Sequence, residues 1–182
     1  MPDDPAGGPA PPALRVVVMG VAASGKTTVG ELLARRLDVE YADADDFHSA
    51  ANVAKMSAGI PLTDSDRGPW LDAIGAWLAQ RADTGAVVTC SALKRRYRDA
   101  IRSSADDVWF LFCHGTFALI SARIAHRSQH FMPSSLLKSQ FSSLEPPGRD
   151  ERAVYEDVSQ PPERIVADFL AQVSRHTAGS GE

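Results

Sequence analysis

A glycine-rich segment, GVAASGKTT at residues 20–28, is the feature that most restricts the fold of this chain. It follows the apolar run LRVVVM and satisfies the pattern GxxxxGK(S/T). In such a loop, glycines let successive backbone N–H groups curl around anionic oxygens, and the start of the next helix adds partial positive charge. That arrangement requires a strand before the loop and a helix after it. The segment therefore predicts an α/β domain with a phosphate-binding loop.

The loop predicts a nucleoside triphosphate as ligand. The residues expected to bind it are Gly20, Val21, Ala22, Ala23, Ser24, Gly25, Lys26, Thr27 and Thr28. Lys26 is expected to neutralise the β- and γ-phosphates as a catalytic residue, and the Thr27 hydroxyl is expected to ligate Mg²⁺. The sequence contains no NKxD-type element for guanine recognition, which favours ATP over GTP.

Apolar runs alternate with amphipathic patterns along the rest of the chain. The predicted strands span residues 14–19, 40–43, 86–90, 108–113 and 153–158. The predicted helices span residues 26–37, 49–57, 66–82, 92–102, 116–127 and 134–144, and a last helix begins at Pro162. We expect Asp64 or Ser65 to cap the third helix. Alternating strands and helices predict a doubly wound, mainly parallel five-stranded sheet with helices on both faces.

Length and composition predict a single domain over residues 14–175 of the 182-residue chain. The proline-rich residues 1–13 and the polar residues 176–182 are expected to be disordered tails. The net charge of −4 argues against a nucleic-acid partner, and no apolar segment is long enough to cross a membrane. Cys90 and Cys113 lack the spacing of a metal site and are expected in the core of a cytoplasmic protein.

The second predicted strand is expected to supply the carboxylate that faces the metal. The third ends in Thr89-Cys90-Ser91 without the acidic residue usual in motor and transport ATPases, whereas the second ends in DADD. If that strand persists, Asp43 and Asp45 point the same way. One would hold Mg²⁺ through water, and the other would accept the proton of an attacking hydroxyl. A solvated acidic turn is the alternative.

Further polar residues can converge on a polyhydroxylated, anionic acceptor: His48, Asn52, Lys55 and Arg67. Taken singly, each of these residue types is more often found on the surface. The basic run at residues 94–98 directly follows a strand end, so Ser91 and Lys94 are expected to face the acceptor while the other basic residues are solvated. Nucleic-acid binding by this basic segment is the less favoured interpretation.

Three segments carry a resemblance to a known family. The pattern H-x-x-A-N-x-x-K-M-x-x-G-x-P-L-x-D-x-D-R-x-P-W-L covers residues 48–71, and CSALKRRYRD and HFMPSSLLKSQFSSLEPP cover residues 90–99 and 130–147. Together with the phosphate loop, they resemble the gluconate kinase (gluconokinase) family over roughly residues 14–172. The block at 48–71 is far more specific than the phosphate loop, which many families share.

The resemblance implies an enzyme that uses ATP and Mg²⁺ to phosphorylate D-gluconate at its 6-hydroxyl, giving 6-phospho-D-gluconate and ADP. It implies a fold like that of shikimate and adenylate kinases, assembled as a homodimer. Asp45 would be the catalytic base, by analogy with shikimate kinase, and Asp43 a metal ligand. His48, Lys55 and Arg67 match gluconate contacts, and we place Ser91, Lys94 and His130 with them as substrate-binding candidates.

A lid is expected near residues 127–147. Arg123 and Arg127 share one helix face at its start. By resemblance to adenylate-kinase-like enzymes, such a pair would reach ATP and the transferred phosphoryl group; solvated arginines are the alternative. His126 and His130 share the same spacing, but without a third ligand they do not indicate a metal site. The segment at 157–162 is expected near the adenine, by resemblance.

Two positions depart from the family pattern. Many relatives have glycine in place of Ala44 and Gln129, and the second change bears on lid closure. Two alternatives stay open: a sister kinase for another hydroxy acid or sugar, and a catalytically silent nucleotide-binding module. The complete set of Lys26, Thr27, Asp43 and Asp45 argues against the silent module.

Overall fold

Five strands form one sheet in this computed structural model, which describes residues 13–126 and 133–179. They are β1 (Arg15–Met19), β2 (Glu40–Asp43), β3 (Ala86–Thr89), β4 (Trp109–His114) and β5 (Ala153–Asp157). Their order is β2-β3-β1-β4-β5, and every neighbouring pair is parallel. The predicted doubly wound, five-stranded fold is therefore confirmed.

Seven helices occur in the described part of the chain. They are α1 (Lys26–Leu37), α2 (Ala50–Ser57), α3 (Asp64–Ala79), α4 (Arg95–Arg102), α5 (Phe117–His126), α6 (Ser134–Ser143) and α7 (Pro162–Gly179). Two buried apolar clusters show that helices cover both faces of the sheet. One cluster joins α1, α5 and α7 to the sheet, and the other joins α3 and α4 to the opposite face. No helix within residues 13–126 and 133–179 combines the length and apolar character needed to cross a membrane.

The central strand β1 is apolar because it is buried on both faces, as expected of a parallel sheet. Its registers with β3 and β4 pair Val18 with Thr89 and Met19 with Phe112. Cys90 and Cys113 are buried, as expected, and desolvation raises the pKa of each thiol to about 12. Because all five strands are parallel, their carboxyl ends meet at one edge, where such folds bind ligands.

Helix α3 begins earlier than the apolar spacing predicts. Thr63 caps it, and the expected caps, Asp64 and Ser65, lie inside its first turn. The Thr63 hydroxyl accepts a hydrogen bond from the Asp66 N–H at 3.2 Å, and the Asp66 carboxylate accepts one from the Thr63 N–H at 2.8 Å. This reciprocal capping satisfies donors that would otherwise be unpaired at the helix start, so it determines where the helix begins.

Helix α4 begins at Arg95, later than the predicted start at residue 92. Ala92 has a left-handed φ of 43°, and the carbonyls of Ala92 and Leu93 accept hydrogen bonds from the Arg98 guanidinium. Residues 92–94 thus form an ordered loop between β3 and α4. The expectation that the basic residues after Lys94 are solvated is wrong for Arg98, which is fully buried.

The last helix passes the predicted domain end at residue 175. It continues to Gly179 because Val173 packs in the core and its carbonyl accepts a hydrogen bond from the Thr177 hydroxyl. The prediction of a disordered tail from residue 176 is therefore wrong for residues 176–179. The described part of the chain does not include residues 1–12, which make up most of the predicted N-terminal tail. It also does not include residues 180–182.

Candidate active site

The phosphate loop connects β1 to α1 in a conformation that depends on its glycines. Gly25 has φ 95°, in the left-handed region, and Gly20 has φ 147°. A Cβ atom on Gly20 would lie 2.6 Å from the carbonyl oxygen of Cys113 and 2.8 Å from the Ser24 hydroxyl oxygen. A side chain at position 20 would therefore push the loop away from the end of β4.

Lys26 is held inside the loop. Its Nζ donates a hydrogen bond to the Val21 carbonyl at 2.8 Å. Desolvation lowers the pKa of Lys26, while the nearby Cys113, Cys90, Asp43 and Asp45 act in the opposite direction. The ammonium group is thus positioned within the electrostatic reach of both aspartates.

Arg123 lies beside the phosphate loop. Its guanidinium group donates to the Ser24 carbonyl at 3.4 Å and to the Val158 carbonyl. The side chain therefore joins α5 to the loop and to the segment after β5. It also borders a cavity of about 310 Å³, whose walls include Gly25, Thr28, Val158, Pro162 and Ile165.

Helix α6 also contacts the phosphate loop. The Gln140 side-chain oxygen accepts a hydrogen bond from the backbone N–H of Ala22 at 2.6 Å. An amide oxygen thus pairs with one of the N–H donors expected to bind a phosphate oxygen. Gln140 could not be identified from the sequence, because a polar residue on a helix has no distinguishing local pattern.

The acidic pair does not continue the second strand. Strand β2 ends at Asp43, and residues Ala44–Phe47 form a 3₁₀ turn. The Asp43 carboxylate caps this turn by accepting a hydrogen bond from the Asp45 N–H at 2.9 Å. The expectation that the two carboxylates share one strand face is therefore wrong, because Asp43 caps the turn that carries Asp45.

The turn nevertheless brings Asp45 towards Lys26. Desolvation and the Asp43 carboxylate raise the pKa of Asp45, whereas His48 and Lys26 lower it. A carboxyl group with a raised pKa near a phosphate-binding lysine is suited to accept a proton from a hydroxyl group.

His48 packs against α3. Its ring stacks on Trp70, with 4.4 Å between the ring centroids and 13° between the planes. The Trp70 indole N–H donates to the Ala44 carbonyl at 2.6 Å, which ties α3 to the turn carrying Asp45. Trp70 belongs to the block at residues 48–71, but its apolar ring by itself does not predict this contact.

Asp66 connects α2 to α3. Its carboxylate accepts a hydrogen bond from Lys55 Nζ at 2.7 Å, and its carbonyl accepts one from the Asn52 amide at 2.9 Å. The Lys55 bond and those from Thr63 lower the pKa of Asp66 to about 2. The apolar spacing predicted Asp66 only as a helix residue. In the structure it orders two substrate-binding candidates, Lys55 and Asn52.

Arg67 lies on the first turn of α3. Its guanidinium group donates to the Leu62 carbonyl at 2.6 Å and lies 5.7 Å from the centre of the Tyr97 ring. Lys94 Nζ also lies 5.7 Å from that centre. Tyr97 therefore brings a residue from each of two predicted substrate-binding segments close together.

Ser91 and Lys94 lie in the segment between β3 and α4. The Ser91 carbonyl accepts a hydrogen bond from the Gly20 N–H at 3.3 Å, which places this loop against the phosphate loop. Of the predicted site residues, Arg127 and His130 lie outside the described part. Within the described part, no three histidine, cysteine, aspartate or glutamate side chains cluster in a way that could hold a metal.

Comparison with known proteins agrees with this geometry. A family model described as shikimate kinase matches residues 22–173. The thermosensitive gluconokinase of Escherichia coli is 45% identical over 141 residues, which cover 76% of this chain and 75% of that protein. The gluconokinase of Gluconobacter oxydans is 43% identical over 157 residues, which cover 85% and 88%. A crystal structure of a gluconokinase from Sinorhizobium meliloti has a TM-score of 0.84 and 45% identity, covering 93% of this chain and 98% of that chain.

The parallel sheet, the phosphate loop and the polar residues facing it define a P-loop kinase of small molecules. Within that class, the matches cover most of both chains at identities well above those needed to establish common descent. The chain belongs to the gluconokinase family, in the wider group described by the shikimate kinase model.

Proposed function

We propose that this protein is a gluconokinase that transfers the γ-phosphoryl group of ATP to the 6-hydroxyl of D-gluconate. The products are 6-phospho-D-gluconate and ADP. The observation that carries the proposal is the phosphate loop with Lys26 held at the Val21 carbonyl, in a chain of the gluconokinase family. The transfer also needs a base, and Asp45, whose pKa responds to the charge of Lys26, is assigned that role.

ATP binding is assigned to the phosphate loop and the cavity beside it. The phosphates would lie over the backbone N–H groups of residues 20–28, with Lys26 and Arg123 balancing their charge. The apolar walls formed by Val158, Pro162 and Ile165 suit the adenine. Residues 157–162 are therefore assigned to the adenine end, as the family resemblance implies.

The oxygen-bearing side chains of Thr27 and Asp43 suit Mg²⁺ as ligands. Thr27 is exposed at the start of α1, and Asp43 lies at the end of β2, so a hydroxyl and a carboxylate are available at the phosphate loop. Mg²⁺ in kinases commonly takes few protein ligands and completes its shell with phosphate oxygens and water, so two oxygen donors are sufficient. When bound, it would stabilise the negative charge of the phosphates.

The chemical step follows from these assignments. Asp45 accepts the proton of the acceptor hydroxyl as the oxygen attacks the γ-phosphorus in line. A bond forms between that oxygen and phosphorus, the bond to the bridging oxygen breaks, and ADP leaves with the electron pair. Lys26 and the arginines assigned to ATP, Arg123 and Arg127, stabilise the charge that spreads over the phosphoryl oxygens.

Recognition of the acceptor is assigned to donors on several elements: His48, Lys55, Arg67, Ser91, Lys94 and His130. Lys55 keeps further N–H donors while it pairs with Asp66, and Arg67 has five donors of which the Leu62 carbonyl takes one. These cations suit the carboxylate of gluconate.

Three further points are inferred from the family resemblance and from composition. We expect a homodimer, a cytoplasmic location and no nucleic-acid partner. Sedimentation velocity at several protein concentrations would test the first, and a monomer at all concentrations would contradict it.

The first experiment is an ADP-release assay with ATP and Mg²⁺ against D-gluconate, shikimate, AMP, glycerate and no acceptor. Stimulation by gluconate alone is the expected result. Stimulation by another acceptor would instead identify a sister kinase, and nucleotide binding without stimulation would identify a silent module. A Lys26→Ala variant serves as the control, because full turnover by that variant would exclude the proposed mechanism.

A further inference from the structure

We propose that Asn52 is a positioning residue that holds His48 in its neutral Nε2–H form, so that His48 donates a hydrogen bond to an acceptor oxygen. The protonation pattern follows from the structure alone. The role towards the acceptor rests on the proposed function.

The orientation of the Asn52 amide is set by a partner that can only accept. Asn52 is 5% exposed, and its Nδ2 lies 2.9 Å from the backbone carbonyl oxygen of Asp66. A carbonyl oxygen accepts hydrogen bonds and cannot donate, so the NH₂ group must face it. The reversed amide would place two oxygens against each other in a buried site.

The same NH₂ group determines which ring nitrogen of His48 carries the proton. Asn52 Nδ2 also lies 3.4 Å from His48 Nδ1, a long hydrogen bond. Because the amide nitrogen is a donor, Nδ1 must be the acceptor and carries no proton. The proton of the neutral ring is therefore on Nε2.

The ring has little freedom to change this arrangement. His48 is stacked on Trp70, which is itself hydrogen-bonded to Ala44. Within residues 13–126 and 133–179, His48 Nε2 makes no hydrogen bond. The Nε2–H group thus remains available to a bound molecule.

Charges around the ring agree with the neutral form. Desolvation lowers the pKa of His48 and Arg67 adds to this effect, whereas Asp45 opposes it. A ring with its proton on Nε2 and its Nδ1 engaged has no lone pair to offer the reacting hydroxyl. His48 is therefore a donor to the acceptor molecule, and Asp45 remains the base.

Long-range proton–nitrogen NMR correlation spectra of the full chain test the assignment directly. A His48→Gln variant identifies the His48 signals among those of the five histidines. At neutral pH the wild-type ring should show the Nε2–H pattern. Asn52→Leu should shift the ring away from that single form, and Asn52→Asp should favour a proton on Nδ1, because a carboxylate can only accept.

Ser49→Ala is the matched control for loss of helix stability. The Ser49 hydroxyl caps α2 by accepting a hydrogen bond from the Asn52 N–H at 3.2 Å, and it does not contact the ring. This variant should leave the His48 signals unchanged. Thermal unfolding of all variants identifies any that fail to fold.

Kinetics then separate positioning from folding. Asn52→Leu should raise the KM for gluconate about fivefold, as expected for one neutral hydrogen bond, and leave the KM for ATP unchanged. An Nδ1–H or imidazolium ring in the wild type, or an unchanged ring in Asn52→Leu, would overturn the inference. Failure of gluconate as acceptor would overturn the proposed function but would not alter the NMR result.

Discussion

The guanidinium group of Arg98 forms two hydrogen bonds with the carboxylate of Glu151, at 2.6 and 3.0 Å, and neither side chain is exposed. The same arginine donates to the Ala92 carbonyl at 3.0 Å, and the glutamate accepts from the Gly148 N–H at 2.8 Å. The pair therefore joins the loop after β3, which carries Ser91 and Lys94, to the segment that precedes β5.

Replacing Arg98 with Met should lower the free energy of unfolding by about 3–5 kcal/mol, because it leaves the buried Glu151 carboxylate with, among the described residues, only the Gly148 N–H and the more distant Arg102. Urea denaturation near pH 7 measures this change. The control is the double variant Arg98→Met with Glu151→Leu, which removes both charges and should recover much of the loss. Equal instability of the single and double variants would show that the arginine acts through packing and not through charge compensation.

An Asp45→Asn variant should lower kcat by about 10²–10⁴, the usual effect of losing a general base. The matched control is Asp46→Asn, which changes an exposed neighbouring carboxylate and should have a far smaller effect. An unchanged kcat in Asp45→Asn would remove Asp45 as the base.

The pH dependence should report the same residue. The base must be deprotonated, so kcat/KM for gluconate should fall as the pH drops through the pKa of Asp45. Since desolvation and Asp43 raise that pKa, the fall should begin at a higher pH than for an ordinary aspartate. Loss of this acidic limb in Asp45→Asn would agree with the assignment, and its persistence would contradict it.

A Gln140→Leu variant should bind ATP about fivefold more tightly, because the side-chain oxygen no longer competes for the Ala22 N–H. Isothermal titration calorimetry without acceptor measures the dissociation constant. Ser139→Ala, at an exposed neighbouring position of α6, is the control. Weaker ATP binding by Gln140→Leu would show instead that Gln140 contributes to the nucleotide site.

Glu156 should make stability depend on pH. It is 3% exposed, and desolvation together with Asp168 raises its pKa from 4.5 to about 7, although Arg164 and the Gln172 amide act in the opposite direction. Between about pH 4.5 and 7, Glu156 is therefore protonated in the folded chain but ionised in the unfolded chain. Glu156 therefore makes its full contribution to the free energy of unfolding below about pH 4.5, and this contribution is lost as the pH rises through about 7.

A Glu156→Gln variant removes this dependence. It should be more stable than the wild type at pH 8, by up to about 3 kcal/mol, and similar to it near pH 4.5. Chemical denaturation at both pH values measures the difference. Glu163→Gln, at an exposed position of α7, should give little change at either pH. A constant difference between Glu156→Gln and the wild type at the two pH values would contradict the expected burial of a titrating carboxyl group.

Most helices and strands could be predicted because local patterns specify them. The apolar run and the glycine-lysine pattern after it predicted a strand, a loop and a helix at residues 14–37, and the structure has them at residues 15–37. Boundaries were missed where a side chain from another position decides them. The start of α3 depends on Thr63 and Asp66 capping each other, and the start of α4 depends on Arg98 binding the carbonyls of the preceding loop.

By itself, the sequence determined the phosphate loop, the order of the strands along the chain and the family, since each of these depends on residues that are close in sequence or on a recognisable motif. Tertiary structure decided which groups meet. The turn at Asp43 directs Asp45, the carbonyl of Asp66 orients Asn52, and α6 brings Gln140 to the loop. The hydrogen bonds of Asn52 and Gln140 join residues 14 and 118 positions apart in the chain, and their geometry exists only once the helices have packed on the sheet.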